Sequence, residues 1–147
     1  MCGVSGSGKT FYAGELSKLL KESAIVSTDA IRKQKWGDAS IQKRPDIIFN
    51  EAFNRINFFL GKGIDVIFDA TNLTAKDRKK VINEVHKEGH NPKLVCIVLS
   101  TPLQECIERQ DLRDRKVPHE VIEKQYKKMQ YPFTDEGWDE IRIIEGS

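Results

Sequence analysis

The chain has 147 residues, 39% of them hydrophobic and 31% charged, with a formal net charge of +2; this composition excludes a disordered chain, and the small charge excludes a coat that binds nucleic acid without specificity. The length predicts a single domain over residues 1–147 that buries its core without disulfides or metal. Three cysteines without metal-binding spacing, and no apolar run near ~20 residues, predict a cytoplasmic protein with no membrane partner.

Helix and strand patterns alternate along the chain. The first helix is predicted from Lys9 to about Glu22. Its buried face is expected to carry the apolar residues Tyr12, Leu16, Leu19 and Leu20. The remaining elements are predicted as a strand at 24–27, a helix at 46–60, a strand at 64–69, a helix from 74 to about 87, a strand at 93–100, a helix from 102, a helix at 118–130 and a strand at 139–144. This alternation predicts an α/β fold, with a parallel sheet covered by helices on both faces and ligands at the carboxyl ends of the strands.

The segment GVSGSGKT at residues 3–10 matches the phosphate-loop pattern GxxxxGK[ST] at every fixed position. Its glycines let backbone N–H groups converge on phosphate oxygens, and the following helix N-terminus adds positive potential. In this pattern Lys9 reaches the β- and γ-phosphates and Thr10 binds Mg²⁺. The motif therefore predicts a P-loop NTPase whose nucleotide contacts include Gly3, Ser5, Gly6, Ser7, Gly8, Lys9 and Thr10. The alternative is a glycine-rich turn without a ligand.

Only Met1 and Cys2 precede this loop, at the place where a central strand normally delivers it. We therefore expect the first strand of the sheet to be truncated. Such a gap leaves neighbouring strands with unpaired backbone groups and costs on the order of several kcal/mol. Three explanations stay open: a gene start placed a few codons late, a fragment, or a site in which the first two residues suffice.

Asp29 and Arg32 follow the strand predicted at 24–27 and are three residues apart, which places them on one face of a helical start. A kinase needs a carboxylate near the attacking hydroxyl to accept its proton, and a cation that holds an anionic substrate. The two residues are therefore candidates to bind the acceptor. A helix cap with an ion pair is at least as common an interpretation.

The strand predicted at 64–69 ends in Asp69, which the loop residues Thr71 and Asn72 follow. An acid at this place in a P-loop protein contacts Mg²⁺ directly or through water, and a turn or capping role for Asp69 is an equal alternative. Thr71 and Asn72 are candidates to hold the acceptor, although ordinary turn chemistry is the more common role for such residues.

Three arginines, Arg109, Arg113 and Arg115, lie in a basic segment that also contains two aspartates. One interpretation is a solvated helix end. The other is a lid that closes on the nucleotide, so that an arginine neutralises charge developing on the phosphates. In the lid interpretation Arg109 contacts the nucleotide.

Five segments together, GVSGSGKT, STDAIR, IFDATNLTAKDR, ERQDLRDRKVP and YPFTDEGWDEI, resemble the P-loop kinase family of polynucleotide 5′-kinases and their relatives over nearly the whole chain. The resemblance implies that Lys9 and Thr10 bind ATP and Mg²⁺. It also implies that Asp29 is the general base for a 5′-hydroxyl, that Arg32 holds an acceptor phosphate and that Arg113 is the lid arginine. Ala70 departs from the phage-type pattern, in which an acid directly precedes the Thr-Asn pair.

The expected function is ATP- and Mg²⁺-dependent transfer of the γ-phosphoryl group to a hydroxyl, with the 5′ end of a nucleic acid as the expected partner. One alternative is a kinase for a small metabolite, a nucleoside or an aminoacylated RNA. Another is a nucleotide-binding module that signals without transfer, and a third is an inactive truncation product. The residues indicate neither DNA over RNA, nor a nucleotide preference, nor an oligomeric state.

Overall fold

The computed structural model describes residues 1–39, 41, 43–113 and 117–145. In chain order, the helices are α1 (Lys9–Leu19), α2 (Thr28–Trp36), α3 (Pro45–Gly61), α4 (Ala75–Lys87), α5 (Leu103–Asp111) and α6 (His119–Lys128). The strands are β1 (Ser23–Ser27), β2 (Asp65–Asp69), β3 (Val95–Ser100) and β4 (Glu140–Glu145). A 3₁₀ turn at Thr134–Glu136 precedes β4. Within the described ranges, no helix is both long and apolar enough to cross a membrane.

The predicted alternation of helices and strands is confirmed, with corrections at the element ends. The helical start predicted at Asp29 extends to a full helix, α2. Helix α1 ends at Leu19 instead of Glu22, because the next residue is already extended. Helix α6 ends two residues before the predicted Gln130 for the same reason. The hydroxyl of Thr74 caps α4 by accepting a hydrogen bond from the Asp77 N–H at 3.2 Å.

The strands form two parallel pairs. Strand β1 pairs with β2 in a register that runs from Ser23 opposite Asp65 to Ser27 opposite Asp69. Strand β3 pairs with β4 from Val95 opposite Glu140 onward. Each pair alone is too small to be stable in water, so the two pairs depend on what joins them.

Residues 1–3 join the two strand pairs into one sheet. The Cys2 N–H donates to the Ile97 carbonyl and the Cys2 carbonyl accepts from the Leu99 N–H, both at 2.8 Å. On the other side, the α-ammonium group of Met1 donates to the Phe68 carbonyl at 3.0 Å. The order is therefore β1, β2, residues 1–3, β3, β4. The predicted truncated strand is present as this three-residue segment.

Helices cover both faces of this sheet, as predicted. On one face, α2, α3 and α4 pack against β1 and β2 around Val26 and Phe68. Helix α1 contacts β1 and β2 without joining that cluster, which places it on the opposite face. The expected burial of α1 is wrong in part: Leu19 is 83% exposed and Ala13 alone is fully buried in this helix.

A buried ion pair ties α4 to the turn before β4. The guanidinium group of Arg78 donates to both carboxylate oxygens of Glu136, each at 2.9 Å, and both side chains are buried. Burial by itself opposes the charged form of Glu136, but the hydrogen bonds from Arg78 and from the Trp138 indole outweigh it and lower the pKa of Glu136 below 4.5. Arg78 also donates to the carbonyls of Asn72 and Leu73. The pair thus orders the loop that follows β2.

Replacing Glu136 by alanine should lower the free energy of unfolding by about 3 kcal/mol, because it leaves a buried guanidinium group without its charged partner. Urea denaturation at pH 7 measures this loss. In the wild type, a carboxyl group with a lowered pKa contributes stability that is complete above about pH 4.5 and disappears as the pH falls further. The Glu136→Ala variant should lack this pH-dependent contribution to its stability.

The matched control is Glu15→Ala, which removes the exposed pair with Lys18. Its effect should stay within about 0.5 kcal/mol. Equal losses in the two variants would contradict a structural role for the buried pair.

Candidate phosphate-binding site

A cavity of about 380 Å³ lies beside the glycine loop, at the carboxyl ends of β1 and β2. This is the edge at which open parallel sheets bind ligands. Ten of the residues predicted for the site line this cavity, namely Ser5, Gly6, Gly8, Lys9, Thr10, Asp29, Arg32, Asp69, Thr71 and Arg113. Gly3, Ser7, Arg109 and Asn72 lie around it, with contacts given below. We call it the phosphate cavity.

The loop backbone has the form that a phosphate site requires. Gly6 and Gly8 have φ of 82° and 102°, a region that glycine enters without strain. A Cβ atom at Gly6 would also overlap the Cys106 carbonyl oxygen. Gly8 caps α1 without a side-chain hydrogen bond, and the first turn of α1 holds no acid. The first N–H groups of α1 therefore face the cavity without a capping side chain, as an anion site needs.

Two contacts hold the loop from behind. The Gly3 N–H donates to the Thr71 carbonyl at 2.9 Å, which links the loop to the end of β2. The Thr101 hydroxyl donates to the Ser7 carbonyl at 2.8 Å. The Ser7 hydroxyl itself is buried and has no hydrogen-bond partner among the described residues. Gly3 and Ser7 thus support the loop backbone in this structure, and their direct nucleotide contacts stay predictions.

Lys9 turns back onto its own loop. Its ammonium group donates to the Val4 carbonyl at 2.9 Å. Burial lowers the pKa of Lys9, and the nearby carboxylates of Asp69 and Asp29 oppose that effect. Lys9 is therefore a desolvated cation between two acids at the place where the motif expects phosphate.

Thr10 and Asp69 meet across the cavity. The Thr10 hydroxyl donates to a carboxylate oxygen of Asp69 at 2.8 Å, although the two residues are far apart in sequence. Asp69 is 6% exposed and ends β2. Magnesium prefers oxygen ligands of this kind and usually binds through one or two carboxylates. The donor set therefore fits the predicted Mg²⁺ site.

Asp29 and Arg32 form an ion pair at the mouth of the same cavity. The distance between the Arg32 guanidinium nitrogen and the Asp29 carboxylate is 2.8 Å, and the Arg32 side chain is only 11% exposed. Ser27, not Asp29, caps α2, because its hydroxyl accepts from the Ala30 N–H. The alternative interpretation of Asp29 and Arg32 was a helix cap with an ion pair. The ion pair is present, whereas Ser27 supplies the cap.

Asn72 and its neighbour Thr71 lie in different surroundings. Thr71 lines the phosphate cavity, whereas the Asn72 side chain donates to the Met1 carbonyl at 2.9 Å. Asn72 also adopts φ of 45°, which asparagine tolerates better than most residues. This placement favours the turn interpretation for Asn72, and a contact of Asn72 with an acceptor stays a prediction.

The basic segment begins beside the loop. Arg109 donates to the Glu105 carboxylate at 2.7 Å and to the Gly6 carbonyl at 3.5 Å. Arg113 lines the phosphate cavity from the end of α5. Arg115 lies outside the described residues.

The chain matches the family described as the AAA domain over residues 1–135. It belongs to this family. Among curated proteins it is 29% identical over 148 residues to the L-seryl-tRNA(Sec) kinase of Methanococcus maripaludis, a match that covers 95% of the chain and 54% of that relative.

Solved structures show which fold this AAA-family chain adopts. A chain of the Pnkp1/Rnl/Hen1 RNA repair complex superposes with a TM-score of 0.77 at 22% identity, covering 94% of this chain and 44% of that one. A gluconokinase from Sinorhizobium meliloti superposes with a TM-score of 0.62 at 17% identity, covering 98% and 79%. The chain therefore spans roughly half the length of the tRNA kinase and of the repair-complex chain. The P-loop kinase fold and the family resemblance inferred from the motifs are confirmed.

Two glutamines of this AAA-family chain line the phosphate cavity although neither was predicted as a site residue. Gln125 of α6 accepts the Ser5 N–H on its side-chain oxygen at 2.8 Å. Gln110 of α5 is 1% exposed, and its side-chain nitrogen has no hydrogen-bond partner among the described residues. Each lies three residues after a buried isoleucine, on the inward face of its helix. A polar residue on an apolar helix face is the signal that marks them.

The ends of α5 and α6 are also joined by an exposed pair, His119 and Asp111, at 2.8 Å. The hydrogen bond and charge of Asp111 raise the pKa of His119 above 6.5. The favourable contribution of this pair is therefore complete below pH 6.5 and disappears as the pH rises through the raised pKa.

Replacing Asp111 by asparagine should move the pKa of His119 back towards 6.5, because the charged partner is lost. An NMR titration of the imidazole C–H resonances measures the pKa. Asp135→Asn, on the turn before β4, is the control and should leave the titration curve unchanged. Identical His119 curves in wild type and Asp111→Asn would show that the pair does not form in solution.

Proposed function

We propose that the chain is an ATP-dependent phosphotransferase that moves the γ-phosphoryl group to a hydroxyl, with the 5′-hydroxyl of a polynucleotide as acceptor. The observation that carries the proposal is the meeting of three functions in one cavity. A phosphate loop with open helix N–H groups, an oxygen pair that fits Mg²⁺, and an Asp–Arg pair at the mouth all face the same space.

On the nucleotide side, the loop supplies backbone N–H donors and Lys9 supplies charge. The Lys9 ammonium group must leave the Val4 carbonyl to reach a phosphate, and it gains a stronger, charged acceptor when it does. Gln125 must likewise release the Ser5 N–H if a phosphate oxygen takes its place. Binding therefore exchanges internal hydrogen bonds for charge-assisted ones, which keeps its desolvation cost small.

Thr10 and Asp69 would hold Mg²⁺ through their side-chain oxygens. Bound there, the ion neutralises charge on the β- and γ-phosphates and helps to align them. The burial of Asp69 keeps its carboxylate fixed at the end of β2. Thr10 is held in turn by the first turn of α1.

On the acceptor side, Asp29 is the proposed general base. Its carboxylate is half exposed at the mouth of the cavity, so an incoming hydroxyl can reach it. Arg32 orients that carboxylate and offers remaining N–H groups to an acceptor phosphate. Phosphoryl transfer depends mostly on such positioning and charge neutralisation.

Arg113 is the proposed lid arginine. It follows the last turn of α5 and lines the cavity opposite α2. In this role its charge would neutralise negative charge that develops on the phosphates during transfer. Arg109, which already contacts the loop at Gly6, is the proposed second nucleotide contact.

Two relatives support a nucleic-acid acceptor, because one is named a kinase of L-seryl-tRNA(Sec) and the other belongs to an RNA repair complex. A second candidate is a kinase with a small acceptor. The gluconokinase superposition favours it, since the chain covers 79% of that enzyme, against 44% of the repair-complex chain.

Lys9→Ala should reduce transfer of labelled γ-phosphate from ATP to a 5′-hydroxyl oligonucleotide by about 10²–10³-fold, because the loop loses its charged phosphate contact. Transfer is measured with Mg²⁺ beside a reaction without acceptor. Lys18→Ala, on the exposed side of the same helix, is the control and should transfer at the wild-type rate.

Wild-type rates in the Lys9 variant would overturn the assignment of the loop. Transfer to gluconate or nucleosides that oligonucleotides do not inhibit would replace the polynucleotide acceptor by a small one. ATP binding without any transfer would favour a nucleotide-binding module.

Asp29→Asn should lower the transfer rate by about 10²–10³-fold with little change in ATP affinity, because asparagine cannot accept the proton. Single-turnover rates and ATP titration separate the two quantities. Asp77→Asn is the matched control, since Asp77 is also an acid in the first turn of a helix but lies outside the cavity. An unchanged rate in Asp29→Asn would contradict the role of general base and would leave Asp29 the role of ion-pair partner of Arg32.

A further inference from the structure

Gln110 is a buried polar side chain of the phosphate cavity that none of the roles above uses. It lies in the last turn of α5, lines the cavity and is 1% exposed. Its side-chain nitrogen has no hydrogen-bond partner among the described residues. A buried amide donor without an acceptor destabilises a fold, so its presence requires a physical reason.

The position of Gln110 on α5 would suit an apolar residue. It comes four residues after Cys106 and three after Ile107, and both of these belong to an apolar cluster with Ile122 of α6. Residues at this spacing share one face of a helix. A leucine or methionine at position 110 would be buried there without an unpaired donor. Packing of the helix therefore gives no reason for the carboxamide nitrogen.

The carboxamide oxygen of Gln110 has a partner that fixes its orientation. It accepts a hydrogen bond from the Val117 N–H at 3.4 Å. Because a backbone N–H can only donate, the oxygen and not the nitrogen must occupy that side of the carboxamide. The two hydrogens of the nitrogen are therefore on the other side, where they meet no acceptor of the described residues.

The neighbours of Gln110 in the cavity favour an oxygen that carries negative charge. The Arg113 N–H donates to the backbone carbonyl of Gln110 at 3.1 Å, and Arg113 lines the same cavity. Burial is the main effect that lowers the pKa of Lys9, and the charge of Arg113 acts in the same direction, so the two cations lie near each other. A neutral donor beside two cations suits a phosphate oxygen.

The place of Gln110 relative to the loop indicates which phosphate it reaches. Helix α5 touches the loop at Cys106, since a Cβ atom at Gly6 would overlap the Cys106 carbonyl oxygen. Gln110 lies about 6 Å further along the helix axis. The loop backbone of this motif encloses the α- and β-phosphates. Gln110 therefore suits a phosphate that lies past the loop, which ADP lacks.

We propose that the side-chain nitrogen of Gln110 donates a hydrogen bond to a phosphate oxygen of the bound substrates that lies past the phosphate loop. The inference rests on the proposed function and adds a neutral donor next to Arg113. The oxygen belongs to the γ-phosphate of the nucleotide or to a phosphate of the acceptor, and binding measurements separate these two sources. Because the donor is otherwise unpaired, the contact adds affinity for that phosphate and none for ADP.

Gln110→Glu tests the contact, because a carboxylate keeps an acceptor for the Val117 N–H but has no donor. Calorimetry at pH 8 measures the affinity for ADP, for β,γ-imido-ATP and for a 5′-hydroxyl oligonucleotide. The affinity for β,γ-imido-ATP or for the oligonucleotide should fall by at least about tenfold, whereas the affinity for ADP should change by less than about threefold. A loss for β,γ-imido-ATP assigns the contact to the γ-phosphate, and a loss for the oligonucleotide assigns it to the acceptor.

The matched control is Gln104→Glu, which makes the same change at an exposed position of α5 outside the cavity. It should bind all three ligands as the wild type does. Gln110→Met separates the hydrogen bond from the added charge, because it removes the donor without introducing a carboxylate. It should show the same selective loss as Gln110→Glu, with a smaller magnitude.

Two outcomes would overturn the inference. If Gln110 serves only to hold Val117, Gln110→Glu should bind all three ligands as the wild type does, and Gln110→Met should lower Tm and weaken all three alike. An equal loss for ADP in Gln110→Glu would also overturn it, since the effect would not be confined to a phosphate past the loop. If Gln110→Glu does not fold, the selectivity of Gln110→Met decides.

The inference and the proposed function fail in different ways. The binding measurements require no transfer, so a selective loss in Gln110→Glu together with an inactive wild type would count against the proposed function alone. Wild-type binding in Gln110→Glu together with normal transfer would overturn the role of Gln110 alone.

Discussion

The two hydrogen bonds that Cys2 makes to β3, and the one that Met1 makes to β2, hold the two halves of the sheet together. The phosphate loop starts at the next residue, and its first N–H is bonded to the loop that follows β2. The position of the loop relative to Asp69 and Asp29 therefore depends on three residues of backbone. Because Asp69 ends β2 and Asp29 lies in the first turn of α2, directly after β1, any shift between the sheet halves would separate the acids from Lys9.

Three groups of the phosphate cavity are paired with other groups of the protein. Lys9 bonds to the Val4 carbonyl, the Ser5 N–H to Gln125, and Thr10 to Asp69. Each contact uses a group that phosphate or a metal ion would otherwise engage. This arrangement keeps these three groups paired, and a buried group left unpaired would cost about 1–3 kcal/mol. It also couples the loop to α6 through Gln125, so that occupation of the cavity and the position of α6 are linked.

The sequence was sufficient to predict the parts of the structure that depend on local pattern. The glycine loop and the strand that ends in Asp69 each lie within a few consecutive residues, and their chemistry is local. The contacts that escaped prediction join distant positions: Gln125 is 120 residues from Ser5, and Arg78 is 58 from Glu136. Leu19 was predicted to be buried and is exposed, because helical spacing predicts an apolar face without showing which element packs against it.

The proposed function separates phosphate chemistry from acceptor choice. In it, the phosphate contacts come from backbone and from residues fixed by the sheet, whereas the acceptor would meet side chains of α2 and α3 that line the cavity, including Arg32 and Phe49. Since transfer requires mainly alignment, one phosphate site can serve different hydroxyls when only the α2–α3 wall changes. This explains how one fold includes both a tRNA kinase relative and a gluconokinase neighbour. Under the proposed function, the half-exposed carboxylate of Asp29 and the guanidinium group of Arg32 beside it suit an acceptor that itself carries phosphate, because a phosphate would give Arg32 a charged partner in addition to Asp29.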